Sequence, residues 1–171
     1  MTDTLRPAVS TDAPALARLA EQTFRATFAA DNAPEDLDLY CRTHYTPEIQ
    51  AAEIADPRRE IWVTEKAGEL IAYFMLTEGT REQGVTGERT LELQRIYVDA
   101  RFHGQGIAQK LMEQVLRRTR ERGCDSLWLG VWEHNRRALA YYAKHGFKEV
   151  GEHTFVLGND PQRDLILELA L

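Results

Sequence analysis

A glycine-rich turn before the longest amphipathic stretch of the chain is the first candidate for chemistry. Gly104-Gln105-Gly106 lies between an apolar strand pattern and a helix pattern that begins at Ile107. The first N–H groups of a helix have no partner within it, and its dipole favours an anion. Glycine also lets the backbone approach a ligand closely. The turn is a candidate phosphate cradle, with a plain tight turn as the alternative. It lacks the further residues of dinucleotide and Walker motifs, which disfavours NAD and ATP.

A second helix pattern carries polar groups on one stripe. Asn135, Ala138 and Tyr142 are spaced i, i+3 and i+7, so a helix would turn an amide and a phenol to the same side. Arg136 and Arg137 lie in its first turn, where the helix dipole disfavours cations. A bound phosphate nearby would compensate for them, and solvation of the two side chains is the alternative.

Together the two segments resemble the GNAT (GCN5-related N-acetyltransferase) superfamily. The motifs that carry the resemblance are Arg101-x-x-Gly104-x-Gly106-Ile107-Ala108 and Asn135-x-x-Ala138-Leu139-x-Tyr141-Tyr142-x-Lys144-x-Gly146-Phe147. A closer resemblance is to PaiA-type spermine/spermidine acetyltransferases, through residues 23–36, 95–98, 128–135 and 155–164. The resemblance covers nearly the whole chain, and it implies direct acetyl transfer from acetyl-CoA to a primary amine in a ternary complex.

The resemblance also implies a set of contacts to acetyl-CoA. The strand before the turn would bind the pantetheine arm through its main chain, and the turn with the helix start would wrap the pyrophosphate. Lys144 would meet the adenosine 3′-phosphate, although a lysine at a helix end also suits the dipole alone. The implied cofactor-binding residues are Ile96, Tyr97, Val98, Arg101, His103, Gly104, Gln105, Gly106, Ile107, Ala108, Asn135, Arg136 and Lys144.

Acetyl transfer needs a base for the amine and an acid for the leaving thiolate. Glu92, on the strand that leads to the turn, is the candidate base, directly or through water, with an ordinary strand glutamate as the alternative. Tyr142 is the candidate acid beside the sulfur, with a core tyrosine as the alternative. A main-chain N–H near Ile96 would polarise the thioester oxygen.

The acceptor is predicted from an acidic segment that covers the acceptor cleft in relatives. Glu35 and Asp36, with Asp38 and Glu21 near them, would attract a polyamine such as spermidine or spermine. A solvated acidic loop is the alternative, and amino-acid, peptide N-terminal and antibiotic amines stay open as acceptors. Two other classes of function also stay open, namely a non-catalytic acyl-CoA sensor and a nucleotide-binding regulatory domain.

The elements that must position these residues follow from hydrophobic periodicity and turn signals. Ser10 to Asp12 is predicted to cap the first helix, and residues 31–46 are predicted to be a loop with a short helix at 35–40. Other helices are expected at 13–28, 107–122 and 135–145, and strands at 5–9, 61–64, 70–77, 91–98, 126–132, 147–157 and 163–169. This order and the family resemblance predict a single α/β domain over residues 1–171, with a mixed, mostly antiparallel sheet of about seven strands and helices on both faces.

Composition limits the classes of protein that the chain can belong to. With 43% hydrophobic and 28% charged residues in 171, the chain matches a globular domain. A net charge of −6 disfavours nucleic-acid binding, and no apolar run reaches membrane-spanning length. Cys41 and Cys124 are expected to be reduced thiols, and the histidines show no metal-ligand spacing. The protein is expected to be cytoplasmic, without a metal, and homodimeric as relatives often are.

Overall fold

The structure, a computed structural model, describes residues 2–171 as one mixed α/β unit. Its elements in chain order are β1 Thr4–Pro7, α1 Ala13–Phe28, α2 Pro34–His44, α3 Pro47–Ala55, β2 Arg59–Lys66, β3 Glu69–Glu78, β4 Thr90–Val98, α4 Ile107–Glu121, β5 Ser126–Trp132, α5 Arg136–Lys144, β6 Lys148–Leu157 and β7 Asp160–Ala170. Among the described residues, no helix is long and apolar enough to cross a bilayer.

The seven strands form one sheet that contains a single parallel neighbour pair. Their order is β1-β2-β3-β4-β5-β7-β6, and every neighbouring pair except β4–β5 is antiparallel. The parallel ladder has only three residue pairs, from Thr90↔Ser126 to Glu92↔Trp128. Beyond it the arms 93–98 of β4 and 129–132 of β5 are not paired with each other. We call these two arms and the space between them the fork.

A β-bulge lies where the β4 arm of the fork begins. Met75 of β3 pairs with Arg95, whereas its neighbour Leu76 pairs with Leu93, so Gln94 is an extra residue in β4. A bulge bends its strand and increases the local twist. It therefore turns the β4 arm away from β5 and contributes to opening the fork.

Two apolar cores cover the two faces of the sheet. On one face, Leu111 and Met112 of α4 and Tyr142 of α5 pack on Phe74 and Leu93. On the other face, α1 and α2 pack on the alternate residues of β2 and β3, with Phe24, Leu37, Val63, Tyr73 and Met75 buried. We call these the α4/α5 face and the α1/α2 face. Successive side chains of a strand point to opposite faces of the sheet. A fork residue whose two sequence neighbours belong to one core therefore faces the other side.

The predicted fold class is confirmed, with corrections in the segment before β2. Helix α2 continues to His44, past the predicted 40, because Leu37, Tyr40 and Cys41 bury one stripe of it. Helix α3 was not predicted at all. Pro47 lies in the first turn of α3, where the N–H that proline lacks would have no partner within the helix. Thr46 caps α3, since its side chain accepts a hydrogen bond from Ile49 N.

Two further predictions at element boundaries are wrong. Ser10–Asp12 form a short 3₁₀ turn, and Asp12 does not cap α1 with its side chain. Its carboxylate instead accepts from the Arg6 guanidinium at 2.7 Å and from Val9 N at 2.8 Å, which ties the turn to β1. Strand β7 begins at Asp160, before the predicted 163, because it pairs with β6 up to the turn.

A buried carboxylate holds the segment between β3 and β4 against the sheet. Glu168 of β7 is 7% exposed and accepts from Thr86 N at 3.0 Å, Gly87 N at 2.9 Å and Ser126 Oγ at 2.7 Å. Burial opposes its ionisation, but these hydrogen bonds outweigh burial and lower the pKa of Glu168. The ionised carboxylate thus fixes the segment that leads into β4.

We expect Glu168→Ala to lower the free energy of unfolding by about 3 kcal/mol, because it leaves buried donors without their acceptor. Urea denaturation measures the change, and Glu149→Ala, an exposed glutamate on the neighbouring strand, is the control. Because the pKa of Glu168 is lowered in the folded protein, its carboxylate stabilises the folded state at pH values above the ordinary carboxyl pKa. This stabilisation is lost as pH falls through the lowered pKa. Equal stability of the two variants near pH 7 would contradict this role.

Candidate functional site

The fork lies beside the N-termini of two helices. Strands β4 and β5 are parallel, so their carboxyl ends lie at the same edge of the sheet. Helix α4 begins nine residues after β4 ends, at Ile107, and α5 begins four residues after β5 ends, at Arg136. Both helix starts, with their free N–H groups, therefore lie at the open end of the fork.

The glycine turn has the geometry that an anion cradle requires. Gly104 and Gly106 have φ of +75° and +77°, and a Cβ built on either one would meet nothing within 4 Å. Gly106 is the N-cap residue of α4 in the left-handed conformation, and no side chain caps the helix. The first turn of α4 therefore presents uncapped amides to open space, while Ile107 anchors it in the core.

Two hydrogen bonds join residues 103–108 to helix α5. In the first, His103 Nδ1 lies 3.0 Å from a guanidinium nitrogen of Arg137, and the other ring nitrogen, Nε2, lies 2.9 Å from the carbonyl oxygen of Val98. Because arginine can only donate, Nδ1 accepts from Arg137 and Nε2–H donates to Val98. Tyr141 donates its hydroxyl to the carbonyl oxygen of Ala108 at 3.0 Å. The two predicted motifs thus meet in space beside the fork.

Tyr142 is buried on the α4/α5 face. It is 8% exposed, and its ring packs against Phe147 at a centroid distance of 5.4 Å. Burial, with a smaller effect of Tyr141, raises the pKa of Tyr142 well above its ordinary value. The phenol therefore keeps its proton at neutral pH.

Glu92 lies at the base of the fork and on the opposite face. It forms the last pair of the parallel ladder, with Trp128, and its neighbours Leu91 and Leu93 belong to the α4/α5 core, so it points to the α1/α2 face. Burial raises the pKa of Glu92, while the charge of His153 lowers it less. The predicted acid and base thus lie on opposite faces, with the fork between them.

The β4 arm has main-chain groups without a strand partner on its fork side. Ile96, Tyr97 and Val98 pair with Phe74, Tyr73 and Ala72 of β3, and β5 has parted from them. The carbonyl of Val98 is already used by His103. The remaining free groups are where an extended ligand could add as a strand.

Several predicted cofactor-binding residues have structural partners of their own. The Arg101 guanidinium binds the buried carboxylate of Asp99 at 3.0 Å and also pairs with Glu69. The side-chain oxygen of Asn135 accepts from Ala138 N at 3.2 Å and caps α5. These contacts shape the loops beside the fork, and direct contact of both side chains with a coenzyme stays a prediction.

The remaining predicted residues lie at the rim. Gln105 and Arg136 are exposed beside the cradle, Ala108 lies in the first turn of α4, and Lys144 is exposed in the last turn of α5. Lys144 lies eight residues after Arg136, which places it about 12 Å from the first turn of its helix. It is thus separated along α5 from the cradle.

The acidic residues predicted for the acceptor lie in the first turn of α2. Glu35 is exposed, whereas Asp36 accepts from Asn159 N at 2.8 Å and holds the turn between β6 and β7. Gly158 in that turn has φ +64°, and a Cβ there would lie 2.5 Å from the Asp36 Cα. The structure brings this pair to the hairpin turn, and their contact with an acceptor stays a prediction.

A polar cluster near Glu92 was missed by the sequence reasoning. Glu82, His153 and Asp164 come from the segment after β3, from β6 and from β7, and His153 lies 3.0 Å from Glu82 and 3.5 Å from Asp164. These residues are far apart in sequence and follow no motif, so only the strand pairing brings them together.

One surface hollow lies away from the fork, and a second is lined in part by His153 of the polar cluster. One, of about 350 Å³, lies between the start of β1 and helix α4, and the other, of about 420 Å³, follows the β6–β7 hairpin. Neither is lined by the glycine turn or by Tyr142. In residues 2–171 there is no group of three or more His, Cys, Asp or Glu side chains that could hold a metal ion.

Comparisons with known proteins agree with this geometry. The model of the acetyltransferase (GNAT) family matches residues 16–147. An uncharacterized N-acetyltransferase of Lactobacillus delbrueckii subsp. lactis is 34% identical over 160 residues, covering 94% of this chain and 92% of that protein. An uncharacterized N-acetyltransferase of Mycobacterium tuberculosis is 34% identical over 157 residues, covering 92% and 96%. The PaiA N-acetyltransferase of Thermoplasma acidophilum, solved with coenzyme A, shares the fold with a TM-score of 0.81, at 20% identity and with full coverage of both chains.

Proposed function

This chain belongs to the GNAT family of N-acetyltransferases, and we propose that it transfers the acetyl group of acetyl-CoA to a primary amine of a small polyamine such as spermidine or spermine. The observation that carries the proposal is the fork. The fork connects the α4/α5 face, which carries the anion cradle and the protonated phenol of Tyr142, to the α1/α2 face, which carries the carboxylate of Glu92. Donor and acceptor would meet there from opposite sides in a ternary complex.

The chain's own groups fit the parts of acetyl-CoA. The uncapped amides at the start of α4 suit the pyrophosphate, because they combine free donors with the positive end of the helix dipole. The unpaired main-chain groups of 96–98 suit the amide groups of the pantetheine arm, which would add to β4 as a strand. Arg136 and Arg137 add positive charge to this edge of the protein.

The reaction requires three functions from the protein. An alkylammonium has a pKa near 10.4, so on the order of one molecule in a thousand is nucleophilic at neutral pH. Glu92 takes the proton, directly or through water, and its raised pKa suits a base. A main-chain N–H near Ile96 stabilises the oxyanion that forms as nitrogen attacks the carbonyl carbon. Tyr142 then protonates the sulfur as the C–S bond breaks.

An amine panel with acetyl-CoA tests the proposed function. We expect the protein to release free thiol in the presence of a polyamine and to form an acetylated amine, identified by mass spectrometry. A non-catalytic acyl-CoA sensor would bind acetyl-CoA in calorimetry without releasing thiol. Turnover only with an amino acid, a peptide N-terminus or an antibiotic amine would keep the reaction and reject the polyamine.

We expect Tyr142→Phe to lower kcat at least tens-fold while acetyl-CoA binding is retained, because the leaving thiolate loses its proton donor. Tyr141→Phe is the matched control, since it removes a neighbouring phenol that bonds to Ala108 and should lower the unfolding temperature more than the rate. Single-turnover kinetics show whether the chemical step limits the rate. An unchanged chemical step in Tyr142→Phe would reject the acid role.

We expect the double variant of Glu35→Gln and Asp36→Asn to raise KM for spermidine several-fold, because two negative charges near the acceptor are removed. Glu48→Gln, an exposed acid in the first turn of α3, is the control for a general loss of charge. Steady-state kinetics at low and high salt measure the effect, which should shrink as salt screens it. Equal KM values in the double variant and the wild type would place the acceptor elsewhere.

A further inference from the structure

Two of the buried polar atoms that have no partner within residues 2–171 lie near the β5 arm of the fork, on the α1/α2 face. Asp164 is 8% exposed and its Oδ1 makes no hydrogen bond, and Trp128 is 2% exposed with an unpartnered Nε1. An unsatisfied buried carboxylate oxygen is costly, so such atoms point to a missing ligand or water. Trp128 lies on β5, and Asp164 lies on β7, which pairs with β5.

The position of Asp164 is tied to the fork by Gly130. A Cβ built on Gly130 would lie 3.3 Å from His153 Nε2 and 3.5 Å from Asp164 Oδ2. Gly130 belongs to the β5 arm, and its neighbours Leu129 and Val131 face the α4/α5 core. The Asp164 and His153 side chains therefore lie over the β5 arm of the fork on the α1/α2 face, in the space that a side chain at position 130 would occupy.

The His153 ring is oriented by a second carboxylate. Its Nδ1 lies 3.0 Å from Glu82 Oε1, and its Nε2 lies 3.5 Å from Asp164 Oδ2. In the neutral ring, Nδ1–H donates to Glu82 and leaves the Nε2 lone pair facing Asp164 and the fork. Glu82, Asp164 and Glu92 thus face His153 from the segment after β3, from β7 and from β4.

We propose that Asp164 binds the reacting ammonium of the acceptor and that His153, positioned by Glu82, takes its proton. This inference rests on the proposed function and divides the role of the base between two groups. His153 takes the first proton of the ammonium, and Glu92, through water, takes the second proton that the nitrogen loses as the amide forms. A primary ammonium has three N–H donors, which suits one bond to Asp164 Oδ1 and one to His153 Nε2.

The atoms balance in this scheme. One ammonium proton moves to His153 Nε2, and the freed lone pair of nitrogen forms the bond to the thioester carbon. As the tetrahedral intermediate collapses, the C–S bond breaks and the thiolate takes the proton of Tyr142. The nitrogen loses its second proton to Glu92 through water, and solvent returns a proton to Tyr142, so that one proton is released in total. The imidazolium returns its proton to solvent through its exposed edge, since the His153 side chain is 28% exposed. Burial raises the pKa of Asp164, with a smaller opposing effect of His153, so a bound cation would favour the ionised carboxylate.

Kinetics of two variants with matched controls test the assignment, with a primary alkylamine from the panel as the probe. We expect His153→Ala to lower kcat about 100-fold with an unchanged acetyl-CoA Kd, and added imidazole to restore part of the rate.

We expect Asp164→Asn to raise KM for the amine at least roughly tenfold, with a smaller change in kcat. The controls are His134→Ala, an exposed histidine beside Glu133, and Asp160→Asn at the exposed start of β7.

Imidazole rescue separates a chemical role of His153 from a structural one, because a misfolded variant is not restored by a small base. Rates of His153→Ala and Asp164→Asn equal to those of their controls, or a loss without rescue, would overturn the inference while acetyl transfer by the wild type stands. A wild type that binds acetyl-CoA and transfers to no amine would instead overturn the proposed function, and this inference with it.

Discussion

The short parallel ladder between β4 and β5 is the constraint on which the site depends. An antiparallel partner would pair with β4 along its whole length, as β3 does on the other side. A parallel partner needs a crossover, supplied here by α4, and brings both strand ends to one edge. Since only three residue pairs form before the bulge at Gln94 bends β4 away, the sheet opens where two helices begin. The opening is thus set by strand pairing, with no need for a separate binding domain.

The two faces of the sheet differ in the charge that they favour. On the α4/α5 face, uncapped amides and two arginines favour anions, and the phenol of Tyr142 keeps its proton. On the α1/α2 face, Glu82, Glu92 and Asp164 surround one imidazole, and burial raises the pKa of both Glu92 and Asp164. A sheet normally keeps two such environments apart. The fork is where groups from both faces come together.

The sequence predicted well what depends on local pattern. Helix α1 and strand β5 agree with their predicted bounds, and the glycine turn follows from two glycines at positive φ that precede a helix. Helix α3 escaped prediction because its stability depends on tertiary contacts, such as the buried pair of Glu53 with Arg95 at 2.7 Å. The cluster of Glu82, His153 and Asp164 escaped for the same reason, since strand register alone assembles it. The hydrogen-bond partners of Arg101 and Asn135 could not be predicted from the sequence either, because a motif gives the position of a residue and not its hydrogen bonds.

The contact between Gly158 and Asp36 couples two parts of the chain that border the α1/α2 face. With a carbon at the Cβ position only 2.5 Å from the Asp36 backbone, any larger residue would push α2 away from the hairpin. Helix and hairpin are also linked through Asn159 N, which donates to Asp36. An insertion at the hairpin tip would displace Gly158 and Asn159 together and break this contact, so the scaffold tolerates a changed side chain inside the α1/α2 face more readily than a changed loop length at the tip.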